Sequence, residues 1–369
     1  MPQQHELPLE KLEELQSFED DSNETPPSDI ISYNELRSCA DLFRMHKQGV
    51  LDIKPEFQRD VVWQDAAQTR FIDSLIKQLP IPSMCFSLDY KSKKWLVIDG
   101  LQRISAIIRF LEGKDWVLSS LSDIIPEIAG KSVADIKEGT DAGKGYYSLV
   151  ENLTIPVTVL RCDYSKKSHM EYLFTIFHRL NSGGMKLNNQ EIRNCIYSGS
   201  FNNLLKHLDE YPPWRKLNKM KPKEKYRLSK QELILRFFAF SDEYLRYHGS
   251  LVRFLNSYMQ ENRMIDSDVI NSKQEYFTRT VDCINQKIFD NRAPVDKLSL
   301  VTLEALLVGV GKNIDYLETQ PPAVLKRRYR KLIEDEAFSE IFLREGLSHR
   351  GKVIDRLGSA IGIFSEDSE

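Results

Sequence analysis

The chain has 369 residues, 41% of them apolar and 28% charged, with a net charge of −3. At roughly 150 residues per domain this allows two hydrophobic cores. No apolar stretch reaches the ~18 residues of a membrane span and no basic-then-apolar leader opens the chain, so a cytoplasmic protein without a membrane partner is expected.

Residues 1–29 carry nine acidic side chains against Lys11 alone, which leaves +5 for the remainder. The segment is rich in Gln, Ser and Pro and reads as a flexible acidic tail, with Leu9, Leu12 and Leu15 able to line one short helix. From Ile30 the pattern is globular. Val50 to Ile53 reads as a strand, followed by the polar "KPEFQRDVVW". Asp65 with Gln68 has the spacing of a capping box, and Phe71, Ile72, Leu75, Ile76 and Leu79 give the helix one apolar face until "LPIP" stops it. Met84 to Leu88 and Trp95 to Ile98 form a strand pair, and Ile104, Ile107, Ile108 and Leu111 a helix ending at Gly113. Residues 120–150, with "EGTDAGKGYY", are expected to be an irregular exposed excursion. "LTIPVTVLRC" (153–162) is a strand, and beyond it nearly everything is helical. Met170, Leu173, Phe174, Phe177 and Leu180 mark a helix broken by "NSGG". Asn188 with Glu191 and Ser229 with Glu232 open two more as capping boxes, and Leu298 to Val310 is a buried apolar helix.

Two polar clusters stand at strand-to-helix junctions, "PEFQR" (55–59) and "DGLQR" (99–103). A helix start leaves amide N–H groups free and favours an anion; Gly100 lets a ligand approach the backbone, and Arg103 can fork onto phosphate or carboxylate. If both junctions lie at one end of a sheet, Arg59 and Arg103 can hold a polyphosphate while Gln58 and Gln102 orient an oxygen or a water. Asp99 can hold magnesium or fix Arg103. The plainer alternative is a tight turn in which Asp99 caps the helix and pairs with Arg103, and Arg59 pairs with Asp60 or Asp99.

"PEFQR", "IDSLIKQLPIP" and "VIDGLQRISAIIRFLEG", followed by "FHRLNSGGMKLNNQEIRNCIY" (177–197), together resemble the N-terminal domain of the GmrSD restriction endonucleases. The resemblance implies an α/β domain of ParB/sulfiredoxin-like fold over residues 30–165, here followed by a helical domain over 166–365. It further implies binding of a nucleoside triphosphate with magnesium, with slow hydrolysis, tied to DNA recognition in restriction or phage defence. It also implies a separate nuclease or defence protein as partner, because the His-based C-terminal nuclease domain of the relatives that cleave DNA is not seen. Leu101 stands where the family commonly has the first Gln of Asp-Gly-Gln-Gln-Arg, which bears on hydrolysis more than on binding. Asn181, with Lys186 close by, is a candidate contributor to the site; a glycine-rich link between helices is the alternative.

The most basic stretch, "WRKLNKMKPKEKYR" (214–227), carries seven Lys or Arg with Trp214 and Tyr226. Lys219, Lys221, Lys223, Lys225 and Arg227 are candidate DNA contacts, against the commoner reading of a solvated loop. "KRRYRK" (326–331) reads as the outer face of a helix. Seven histidines show no HExxH or HNH-like spacing, no Walker-type loop is present, and five cysteines form no CxxC pair. The alternatives to a nucleotide-dependent module are a non-catalytic DNA-binding or regulatory module and, third, a direct nuclease.

Overall fold

The structure, a computed structural model, describes residues 26–53, 63–113, 116–139, 141–180, 187–220, 229–294, 298–338 and 347–367. The tail expected over the first residues therefore lies almost wholly outside the described residues. The chain divides into two compact units, with the boundary between Leu187 and Asn188.

The first unit is built on a five-stranded sheet of order β1-β5-β3-β4-β2. β1 (Ile31–Ser38) runs antiparallel along β5 (Thr154–Cys162), with Ile31 opposite Arg161 and Ser38 opposite Thr154. Ser38 then caps α1 (Cys39–Lys47), its hydroxyl accepting the Asp41 N–H at 3.1 Å. β2 (Leu51–Asp52) pairs parallel with β4. β3 (Met84–Asp89) and β4 (Trp95–Asp99) form the expected antiparallel pair. The turn between them is organised by buried Asp89, whose Oδ2 accepts from Ser92 N at 3.2 Å and Ser92 Oγ at 2.6 Å.

Alternation along the strands turns Met84, Phe86, Trp95, Val97, Ile155, Val157 and Val159 into one core. α1, α2 (Asp65–Ile76), α3 (Leu101–Glu112), α4 (Val133–Glu138) and α5 (Asp141–Asn152) surround that core. α6 (Lys167–Leu180) packs against β4 and is grouped with this unit, so the unit ends later than the expected 165. Two expectations need correction. Residues 120–150 are not an exposed excursion, because Ile124, Ile128, Val133, Ile136, Tyr147 and Val150 are buried in the same core. The segment is pinned by α2, whose Thr69 Oγ1 accepts from Ser119 N at 3.0 Å and whose buried Asp73 accepts from Ile125 N at 2.9 Å. Nor does Asp65 cap α2. The N-cap is Gln64, with no side-chain cap, because Asp65 and Gln68 both accept from Arg109 on α3, at 2.6 and 3.1 Å.

The second unit is helical among its described residues. It contains α7 (Asn189–Ile196), α8 (Ser200–Asp209), α9 (Pro212–Leu217), α10 (Ser229–Glu243) and α11 (Leu251–Glu261). These are followed by α12 (Ser267–Cys283), α13 (Leu300–Lys312), α14 (Ile314–Leu317), α15 (Pro322–Glu334) and α16 (Arg350–Phe364). α13 is the expected apolar helix, buried from Val301 to Gly311 among α10, α12 and α16. Gly309 lets α16 approach, since a Cβ there would lie 2.8 Å from the Ala360 carbonyl oxygen. The Asn188–Glu191 capping box is present with both of its bonds.

The Ser229 side chain, expected to open α10 as a cap, lies outside the described residues, while Glu232 belongs to a buried ionic network. Arg193 on α7 donates to Glu232 Oε2 at 2.9 Å and to Asn256 Oδ1 at 2.9 Å. Arg236 donates to Glu232 Oε1 at 2.7 Å and to Glu304 Oε2 at 3.3 Å, and Arg356 Nη2 lies 3.5 Å from Glu304 Oε1. Burial would raise the Glu232 carboxyl, but Arg236 and Arg193 overcome it and hold it below the ordinary value. All five cysteines are free and buried, and burial pushes the thiols of Cys39, Cys85 and Cys162 up to about 12.

Candidate functional site

The β4–α3 junction gathers Asp99, Gly100, Gln102 and Arg103 within one turn. Gly100 is the N-cap of α3 with φ 96°, a left-handed conformation that disfavours other residues. Its backbone also packs tightly, because a Cβ there would meet Met84 Cγ at 2.6 Å. Asp99 does not cap the helix, and the N-cap residue, Gly100, has no side chain with which to do so. Instead Arg103 Nη2 donates to Asp99 Oδ2 at 2.7 Å, and Nη1 donates to the Pro82 carbonyl. Of the two roles open to Asp99, the geometry therefore shows the fixing of Arg103. Asp99 is 38% exposed, so this pair stands in contact with solvent and can exchange partners.

Gln102 reaches elsewhere, its Oε1 accepting the Trp63 N–H at 2.9 Å. The Trp63 carbonyl accepts from Gln68 Nε2 at 2.8 Å, and its ring meets Phe71 edge-on at 5.5 Å. Two glutamines, one from α2 and one from α3, thus hold the Trp63 backbone at its N–H and at its carbonyl. Arg109 continues the arrangement, lying over the Trp116 ring at 4.5 Å while holding Asp65 and Gln68. Leu101 packs against the hydrophobic core and brings no polar group to the junction.

Gln58 and Arg59 lie outside the described residues, as do Asn181 and Lys186. Lys219, exposed with φ 53° after α9, belongs to the second unit, and Lys221, Lys223, Lys225 and Arg227 lie outside the described residues. Sequence reading did not find Trp63, Gln68, Arg109 or the Pro82 carbonyl as partners of the junction. Only "LPIP" and the Asp65–Gln68 spacing carried a signal, and both were read as helix punctuation. For a metal, no group of three or more His, Cys, Asp or Glu gathers among the described residues. The single carboxylate of Asp99 suits a magnesium ion that arrives on phosphates, since that ion keeps waters and takes one or two protein carboxylates.

A second polar cluster lies at the end of β5 and is internally satisfied. His169 Nδ1 accepts the Asp163 N–H at 2.9 Å, and Nε2 faces Asp29 Oδ1 at 2.8 Å. Lys166 and then His169 hold the Asp29 carboxyl down at about 2.

The fold and site define a class: a mixed α/β unit with an open strand-to-helix junction, followed in sequence by a helical unit. Residues 39–198 match the family described as GmrSD restriction endonuclease, N-terminal domain. The match spans every described residue of the junction and continues through α7. No curated protein matches the chain.

Proposed function

We propose that the β4–α3 junction binds the phosphates of a nucleoside triphosphate carried with magnesium, and that the chain couples this binding to DNA recognition in a restriction or phage-defence setting. One observation carries the reading. Arg103 is held by a single solvent-accessible carboxylate beside a helix start whose N-cap is a glycine, without a side-chain cap among the described residues. A phosphate competes well for such a fork, because Arg–phosphate contacts are charge-assisted and bidentate. The Gly100 backbone and the first turn of α3 would receive the anion. Asp99, once relieved of Arg103, is the carboxylate that would hold magnesium. Gln58, Arg59, Asn181 and Lys186 are the further phosphate contacts that the family resemblance supplies. A separate nuclease or defence protein is the partner proposed to act on the result.

Binding is better supported than turnover. Leu101 is packed against the core and Gln102 is engaged by the Trp63 peptide. This favours, as a second reading, a module that binds nucleotide and regulates without hydrolysing it. Titration of the full chain with each of the four ribonucleoside triphosphates, with and without magnesium, tests the proposal, with phosphate release followed in the same samples. Arg103→Ala should weaken binding tenfold to over a hundredfold, the loss of roughly 1.5–3 kcal/mol of charge-assisted contact. Its melting temperature should hardly change. Normal binding by a variant that unfolds easily would reduce the junction to a structural turn.

A further inference from the structure

"KRRYRK" in α15 does not behave as one uniform face. Arg328 is buried, lies 5.3 Å over the Tyr316 ring and donates to the Ser365 carbonyl. Lys326 is bonded to both oxygens of Asp290 at 2.7 Å. Arg327, Arg330 and Lys331 are exposed, and their spacing of three and four residues sets them side by side on the helix surface. None of the three makes an ion pair or side-chain hydrogen bond among the described residues. Cations on neighbouring elements do: Arg279 holds Asp315 and Glu318, and Lys287 donates to the carbonyls of Leu317, Glu318 and Gln320. Glu334 is exposed one turn further on and is bonded to none of the three.

The chemistry of this face suits a phosphate backbone. From Arg327 to Lys331 the helix rises about 6 Å. Over that length of axis a DNA duplex carries three or four phosphates counting both strands, about two on either strand. Two of the three cations are arginines, whose forks match phosphate oxygens. A membrane surface fits less well, since it needs bulky apolar side chains beside the cations. On α15 Leu325 and Leu332 are buried, and Ile333, 47% exposed, is a single large aliphatic side chain beside three cations.

We propose that Arg327, Arg330 and Lys331 on α15 form a docking face for the backbone of duplex DNA, independent of its sequence. This rests on the DNA half of the reading above and not on the nucleotide half. The test uses the full chain and a fluorescent duplex titrated over a series of salt concentrations. The variant carries Arg327→Gln, Arg330→Gln and Lys331→Gln together. Its affinity at low salt should fall tenfold or more, and the slope of log K against log salt should drop by about 2 to 3, at roughly 0.9 per phosphate contact. Melting temperature and nucleotide binding should match wild type. Wild-type affinity and slope in the variant would overturn the face while leaving DNA recognition standing. A wild-type chain that binds anionic phospholipid vesicles but no duplex would overturn both, and the nucleotide titration would still judge the junction separately.

Discussion

Arginine occurs in two regions of this molecule under opposite conditions. At the β4–α3 junction, Arg103 has one carboxylate and one carbonyl, with Asp99 open to water. In the helical unit, Arg193, Arg236 and Arg356 are buried and share Glu232 and Glu304 as their carboxylates. Dissolving the first arrangement returns the Asp99 charge to solvent and costs less than breaking a fully buried pair. Dissolving the second strands charge in a low-dielectric interior. The family match reaches into both, because Arg193 lies inside the matched residues 39–198. A charged residue within a shared motif can therefore serve ligand binding or only architecture, and burial decides between them.

The largest effect should come from breaking the interior. Glu304→Gln leaves two buried guanidinium groups with too little negative charge, and a loss of about 3–5 kcal/mol in denaturant unfolding is expected. A loss under 1 kcal/mol would mean that the network is better solvated than its burial suggests. Gly100→Ala probes the border between the two behaviours. The left-handed backbone and the approach to Met84 both resist a Cβ, so stability should drop by about 1–3 kcal/mol and nucleotide affinity with it. Arg103→Ala, by contrast, should separate the two quantities.

The smallest effect concerns carboxylates. Asp29 is held down by Lys166, whereas burial pushes the Asp209 carboxyl up to about 6 despite the Trp214 Nε1–H donated to it at 3.3 Å. Between about pH 4 and pH 6 the folded state binds more protons at Asp209 than the unfolded chain does, so this group makes stability fall as pH rises through that window. Asp209→Asn should remove that decline and gain about 1–2 kcal/mol at pH 7 relative to pH 4. Unfolding curves of variant and wild type that stay parallel across the window would refute the assignment.

Local patterns were the legible part of the fold. The β3–β4 pair, β5, α6 and α13 each carry a period or an apolar run within a dozen residues. β1 was not seen, because "ISYNELRS" is largely exposed at the sheet edge and its partner β5 lies far along the chain. The buried residues between Ile124 and Val150 escaped notice for a related reason. They are spaced irregularly and interleaved with Gly and Lys, and only the contacts with α2 gather them. At the site, the Asp99–Arg103 pair follows from a helical offset of four and could be read directly. The Pro82 and Trp63 contacts come from tertiary approach, and the Asp65 box failed because Arg109, from α3, claimed its carboxylate.

The buried cysteines also make the chain its own reporter of opening. Alkylating reagents attack the thiolate, and Cys39, Cys85 and Cys162 are both shielded and held near 12. Cys283, pushed up to about 11 by burial, lies in the second unit along with Cys195. Any alkylation of the native chain must therefore pass through local or global opening. The peptide that carries the label then tells which of the two units let the reagent in.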